Sequence, residues 1–289
     1  MKNLVRFDWA VKRLLRNKAG YVILEGFLSE LLGDDIRIEQ VLESEGNRET
    51  ADNKTNIVDI LVQNSKNEYI IIEVQNDYMQ DYLLRMLYGT TKIISNNLIK
   101  GMSYDKIKKV ISINIVYFDL GQGEDYIYHG TTNYVGLHKK DILKLTVDEE
   151  KIYHTIDIAK IYPEYYIIRV NHFNDISTDT LDEWVNFFKN EEVKDDTKAK
   201  GLKEAIEELN IMKLNTQERN EYESYITEWR DNYSKLVGNY NKGKFEGELE
   251  GEKKEKIKLI KNMLSEGMSI SLIAKIADVS EEYIKNLGL

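Results

Sequence analysis

Asp59, Glu73 and Gln75 stand in two short apolar runs, Ile57–Val62 and Tyr69–Val74, parted by the polar segment Gln63-Asn64-Ser65-Lys66-Asn67. Each run is rich in β-branched residues and about one strand long, so together they predict a β-hairpin. A carboxylate within such a strand is costly to bury unless something cationic compensates it. Alternation puts Glu73 and Gln75 on the same face. With the turn centred on Lys66, Asp59 falls opposite Glu73 and the two carboxylates share that face. Like charges so close repel unless a hard divalent cation lies between them, and that is the chemistry this spacing suggests. The ordinary alternative is a pair of cross-strand or solvent-facing acids.

Asp59 followed, after thirteen intervening residues, by Glu73-Val74-Gln75 resembles the D…(D/E)-x-K signature of the PD-(D/E)XK nuclease superfamily. The Glu-x-Gln form is similar to the branch of recombination-promoting nucleases and transposases. The likeness extends to Asp8…Lys12, Tyr82-x-x-Arg85-x-x-Tyr88, Gly101-x-x-Tyr104, Tyr162-Pro163-Glu164-Tyr165-Tyr166, the Gly/Glu/Lys-rich segment and the small C-terminal helical unit. It therefore covers nearly the whole chain; each motif is weak alone, and their order carries the resemblance.

The resemblance implies a metal-dependent DNA endonuclease, in recombination, mobile-element or phage-defence biology. Asp59, Glu73 and the backbone carbonyl of Val74 would be ligands to Mg²⁺ or Mn²⁺, with Asp59, Glu73 and Gln75 as catalytic residues. Mg²⁺ takes one or two carboxylates and fills its other positions with water and substrate, which suits this pair. Such an ion lowers the pKa of bound water and bridges phosphate oxygens. Gln75 departs from the usual Lys: an amide carries no charge and is no base, but it can orient a water or a phosphate oxygen. Glu25, on the first helix, is a candidate further acid, as in some relatives, against the plain reading of a surface acid. Arg85 could clamp a phosphate or pair with Asp81 or Glu73. Lys12, by the resemblance, approaches DNA; otherwise it is a solvated helix charge. The four histidines show no metal-ligand spacing.

The 289 residues carry a net charge of −10 and no cysteine, which excludes disulfides and Cys-ligated metal centres. No apolar run is long enough to span a bilayer, and Asp8 interrupts any signal-like start, so a cytoplasmic address is expected. Residues 1–110 hold 16 Lys/Arg and 16 Asp/Glu, so the whole deficit falls on residues 111–289. A charge-balanced first part, some of its acids metal-bound, permits weak, salt-sensitive contact with DNA phosphates. A double-strand cut would suit a homo-oligomer, a dimer in particular.

Those residues need elements to position them. Val11, Leu14, Leu15, Val22, Ile23, Phe27, Leu28, Leu31 and Leu32 give helical spacing with a break at Asn17–Gly20, Asp8 as N-cap and Gly33 as terminator. Ile36, Ile38 and Val41-Leu42 read as a first strand with a bulge. Gly46–Thr55 reads as a loop. After the hairpin, Leu83, Leu84, Leu87, Ile94 and Leu98 mark a helix over 78–99, and Val110–Phe118 a buried central strand. Helix, three strands, helix, strand predicts an α/β fold with a mixed central sheet flanked by helices, followed by an α-helical C-terminal appendage; the resemblance implies that this core is restriction-endonuclease-like. Residues 124–170 read as further short strands, and Leu181, Trp184, Val185 and Phe188 as a helix closing the domain.

The expected organisation is a nuclease-like domain over 1–194, a helical extension over 195–237, a linker over 238–252 and a small helix-turn-helix-like unit over 253–289. In the linker, Gly243, Gly247 and Gly251 would line one face if the segment were helical. The last unit offers Glu281, Glu282, Lys285 and Asn286 where a DNA-reading helix would be basic, favouring packing or oligomerisation. Two rival readings stay open: a DNA-binding protein of this fold that hydrolyses nothing, and an interaction scaffold.

Overall fold

A computed structural model describes Trp9 and residues 18–42, 60–98, 103–194, 196–210 and 214–288. The chain forms two compact units, residues 1–219 and 220–289. Asp8, Lys12, the loop 46–55 and Asp59 lie outside the described residues.

The first unit is organised by a six-stranded sheet in the order β1 (Ile38–Leu42), β2 (Ile60–Asn64), β3 (Tyr69–Gln75), β4 (Val110–Val116), β6 (Glu164–Arg169), β5 (Ile127–Gly130). Helix α1 (Lys18–Leu32) leads in, burying Ile23, Leu24, Phe27, Leu28 and Leu31. It stops where Gly33 adopts φ +65, a conformation that favours glycine, and the Asp34 amide turns back to the Ser29 carbonyl at 3.3 Å. Strand β1 (Ile38–Leu42) is an edge, and its register against β2 shifts between Ile38 and Gln40, as a bulge requires.

Strands β2 (Ile60–Asn64) and β3 (Tyr69–Gln75) form the antiparallel hairpin, pairing Ile60 with Ile72 through to Gln63 with Tyr69. Asn64 Oδ1 closes the turn by accepting from the Lys66 and Glu68 amides at 3.1 and 2.9 Å. Helix α2 (Tyr82–Asn96) then crosses to β4 (Val110–Val116), parallel to β3 and buried along its full length. Strand β5 (Ile127–Gly130) and helix α3 (Val147–Tyr153) precede β6 (Glu164–Arg169), which is parallel to β4 and antiparallel to β5. Of the short strands expected over 124–170, β5 and β6 form and extend the sheet; between them the described residues give helix α3, a short 3-10 turn (Ile158–Ile161) and an isolated bridge, Val135 to Ile142.

Helix α2 presents a different face from the one its leucines suggest. Leu83, Leu84 and Leu87 are 56%, 67% and 51% exposed, while Tyr82, Met86, Gly89, Thr90 and Ile93 are buried. The buried positions are also helically spaced, and they pair aromatic and aliphatic anchors with the polar groups beneath the helix. On the sheet face beneath α2, Leu61, Tyr69, Ile71 and Val110 pack with Ile93, and Val116 with Tyr82, Met86 and Phe118. Residues of opposite parity, such as Ile70, Ile72, Ile113 and Ile115, are buried on the other face.

A second helical layer comprises α1, α4 (Thr180–Asn190) and α5 (Leu202–Glu208). Phe27 of α1 meets Trp184 and Phe188 of α4, with ring centroids 5.6 and 5.1 Å apart. Residues Leu202, Ala205 and Leu209, read from sequence as the start of an extension beyond 194, are buried within this first unit.

Helix α6 runs from Thr216 to Ser265 without interruption, so residues 238–252 are helix where the sequence reads as a linker. Ion pairs one turn apart, Glu250–Lys254 at 2.8 Å and Lys242–Glu246 at 3.9 Å, offset part of the glycine cost. The second unit ends with α7 (Ile270–Ala277) and α8 (Glu281–Asn286), capped by Ser269 and Ser280. Ile260, Met263, Ile273, Ala277 and Ile284 form its core. No described helix is long and apolar enough to cross a membrane.

Candidate active site

The described hairpin register ends at Ile60 opposite Ile72, one residue short of Asp59 on one strand and of Glu73 on the other. Glu73 sits near the C-terminal end of β3 and is only 6% exposed. A carboxylate there needs compensation, and Arg85, one turn into α2, donates from Nη2 to Glu73 Oε2 at 3.4 Å. The Arg85 Nε is itself buried and finds no hydrogen-bond partner among the described residues. Of the two sequence readings of Arg85, the pairing with Glu73 is the one formed here. The Arg85 side chain is one-third exposed.

The parallel register sets Glu73 beside Asn114 and Ile71 beside Ser112. These four side chains line, with Tyr82, Arg85, Met86 and Gly89, a pocket of about 10 Å³, room for a single water. Asn114 and Ser112 are buried polar residues in a strand otherwise made of Val and Ile. Asn114 Nδ2 donates to Ser112 Oγ at 3.0 Å and to the Tyr166 carbonyl at 3.2 Å, and its Oδ1 accepts from Tyr82 Oη at 3.3 Å. The signal that singles out this pair in the sequence is two polar residues at period two inside Val110–Val116.

Gln75 is partly buried, and its Nε2 donates to the Asp77 carbonyl at 3.2 Å. Alternation keeps it on the Glu73 face, aligned with Val116. Val74, between them, points its side chain to the other face.

Glu25 is not brought to this cluster. Its Oε1 accepts from the Ile38 amide at 2.8 Å, and Oε2 lies 3.5 Å from Arg37 Nη1. Ile38 is paired with Asn64, at the turn end of the hairpin. Glu73 lies at the opposite end, roughly 15 Å away along the strands. Glu25 therefore anchors the start of β1, where a buried carboxylate satisfied by one amide and one guanidinium is sufficiently explained. Among the described residues no three His, Asp or Glu side chains converge as a metal cluster, and Asp59 is not among those residues.

The order helix, three strands, helix, strand, with an acid at the end of the third strand, is the core order expected from the sequence. A model of the PD-(D/E)XK nuclease family transposase matches residues 5–238. The chain belongs to that family. No curated protein and no solved structure matches it. Membership in the PD-(D/E)XK nuclease family gives the chain a nuclease-like function, and nucleases of this superfamily generally use divalent metal ions. The match takes in nearly all of the first unit and the first part of α6.

Proposed function

We propose that the chain is a metal-dependent DNA endonuclease that hydrolyses phosphodiester bonds. One observation carries this reading: a buried glutamate, Glu73, at the end of a hairpin strand, in a chain of the PD-(D/E)XK nuclease family. The adjacent pair Ile60–Ile72 supports the register that the sequence spacing of Asp59 and Glu73 requires.

The donor set fits a hard cation. Asp59, Glu73 and the Val74 carbonyl would hold Mg²⁺ or Mn²⁺, all through oxygen, as these ions prefer. Such an ion supplies an activated water and neutralises charge on the phosphoryl group. Gln75 contributes an uncharged donor that orients a water or a phosphate oxygen, without acting as base. Arg85 holds its positive charge against Glu73 and has the geometry to receive a phosphate oxygen. Lys12 is proposed as a DNA contact.

Purified protein incubated with Mg²⁺ or Mn²⁺ and supercoiled plasmid is expected to nick it. Asp59→Ala and Glu73→Ala are expected to abolish nicking while leaving DNA binding measurable. Binding without cleavage by the wild type would replace this reading with that of a non-hydrolysing DNA-binding protein. Recombination, mobile-element or phage-defence biology, a cytoplasmic address and a dimer able to cut both strands complete the proposal; mass measurement in solution tests the last.

A further inference from the structure

Asn114 is the residue that the nuclease reading leaves without a task. It is fully buried in the strand next to Glu73, in register with it, where Val or Ile would pack more cheaply. An amide persists in such a place only when its hydrogen bonds are met, and here three are: Ser112 Oγ, the Tyr166 carbonyl and Tyr82 Oη. Two of these partners belong to the sheet. The third, Tyr82, is the first residue of α2, buried and packed edge-on against Phe118 at 5.5 Å.

Arg85 follows Tyr82 by three residues, so both lie on the same side of the helix. Fixing the Tyr82 hydroxyl to the floor of the sheet fixes the rotation of the first turn, and that rotation decides whether the Arg85 guanidinium reaches Glu73. The exposed Leu83, Leu84 and Leu87 point to the same cause: apolar burial alone would favour turning the helix toward them.

We propose that Asn114 is a positioning residue of the Glu73 site, acting through Tyr82 and the first turn of α2 to hold Arg85 in place. This rests on the reading of Glu73 as the catalytic acid, and it is tested in two separate ways. The first uses no activity. The Nε–Hε signal of Arg85, identified by its loss in Arg85→Lys, is followed by ¹⁵N NMR in metal-free full-length protein. Arg169 serves as the internal control, since its Nε is likewise buried without a partner among the described residues, in a guanidinium held by the Gly123 and Asp125 carbonyls.

Tyr82→Phe removes one hydroxyl and keeps the packing. It is expected to speed hydrogen exchange at Arg85 Nε at least tenfold and to leave Arg169 unchanged. Asn114→Leu should do the same. Unaltered exchange at Arg85, or equal acceleration at both arginines, would overturn the proposal, the second result marking general loosening. In the second test, plasmid nicking by Tyr82→Phe is expected to lose kcat at constant KM. Retention of wild-type nicking in Glu73→Ala would sink the catalytic reading itself, whereas normal kcat in Tyr82→Phe with Glu73→Ala inactive would sink only the role of Asn114.

Discussion

Gly26→Ala tests whether the second helical layer is as closely packed as its backbone indicates. A Cβ at position 26 would sit 2.1 Å from the Lys200 carbonyl oxygen, 2.6 Å from its carbon and 2.8 Å from Gly201 Cα. All three obstacles are backbone, so no side chain can swing aside. Relief requires α1 to move away from residues 200–201 by about 1 Å, roughly the overlap with an ordinary contact distance. That movement strains the Trp184 Nε1 bond to the Lys200 carbonyl, 3.2 Å long, and opens the packing of Leu202, Ala205 and Leu209. Overpacking of this kind costs about 1–3 kcal/mol, and a weakened buried hydrogen bond adds about 1. The first unit should therefore lose about 3 kcal/mol, a fall in Tm of roughly 6–12 °C for a domain of this size. Thermal unfolding followed by tryptophan fluorescence gives the value. A variant that melts within about 2 °C of the wild type would show that the α1–α5 crossing is looser than described.

Gln75→Ala should lower the nicking rate by about 10–100-fold with DNA affinity retained, as expected on losing one oriented donor; an unchanged rate would assign Gln75 to the Asp77 loop alone. Asp182 is held below the usual carboxylate range: burial pushes it up, but hydrogen bonds from the Tyr126 hydroxyl and from the Thr178 hydroxyl and amide, the latter two both 2.7 Å, outweigh burial. A depressed folded pKa stabilises above the unfolded value and loses that contribution as pH falls through the folded one. Acid unfolding from about pH 4 downward should thus be steeper in the wild type than in Asp182→Asn, which also loses about 2 kcal/mol at neutral pH. Gly243 lies inside α6, and a methyl group added there would meet only open space. Gly243→Ala should therefore stabilise the helix by about 0.5–1 kcal/mol, read from the helical signal on heating.

The hairpin was legible because everything that defines it is local: two β-branched runs, a polar turn and a carboxylate in each half. Strand β4 was equally plain, since burial on both faces leaves an unbroken Val/Ile run with only Ser112 and Asn114 inside it. The orientation of α2 was not, because Leu83, Leu84 and Leu87 satisfy helical periodicity as well as Tyr82, Met86 and Ile93 do. The face that is buried carries the partners of Glu73 and Asn114, one on each of the two strands the helix joins, and apolar periodicity does not register those polar contacts. The place of α5 was hidden for a related reason: its partner is Gly26, far earlier in the chain, and a glycine contact leaves no hydrophobic trace. Over 238–252 the glycines signal flexibility, yet charged pairs one turn apart let the helix pass through.

The Tyr82–Asn114 bond spans 32 residues. Glu73 sits on a ribbon that can zip up as soon as its own turn closes, whereas Asn114 arrives only with the crossover that follows. A nascent or partly unfolded chain would thus display the acid but lack the brace that aims its cationic neighbour. On the proposed role of Asn114, folding of the crossover would act as a safety catch, tying cleavage to completion of the sheet.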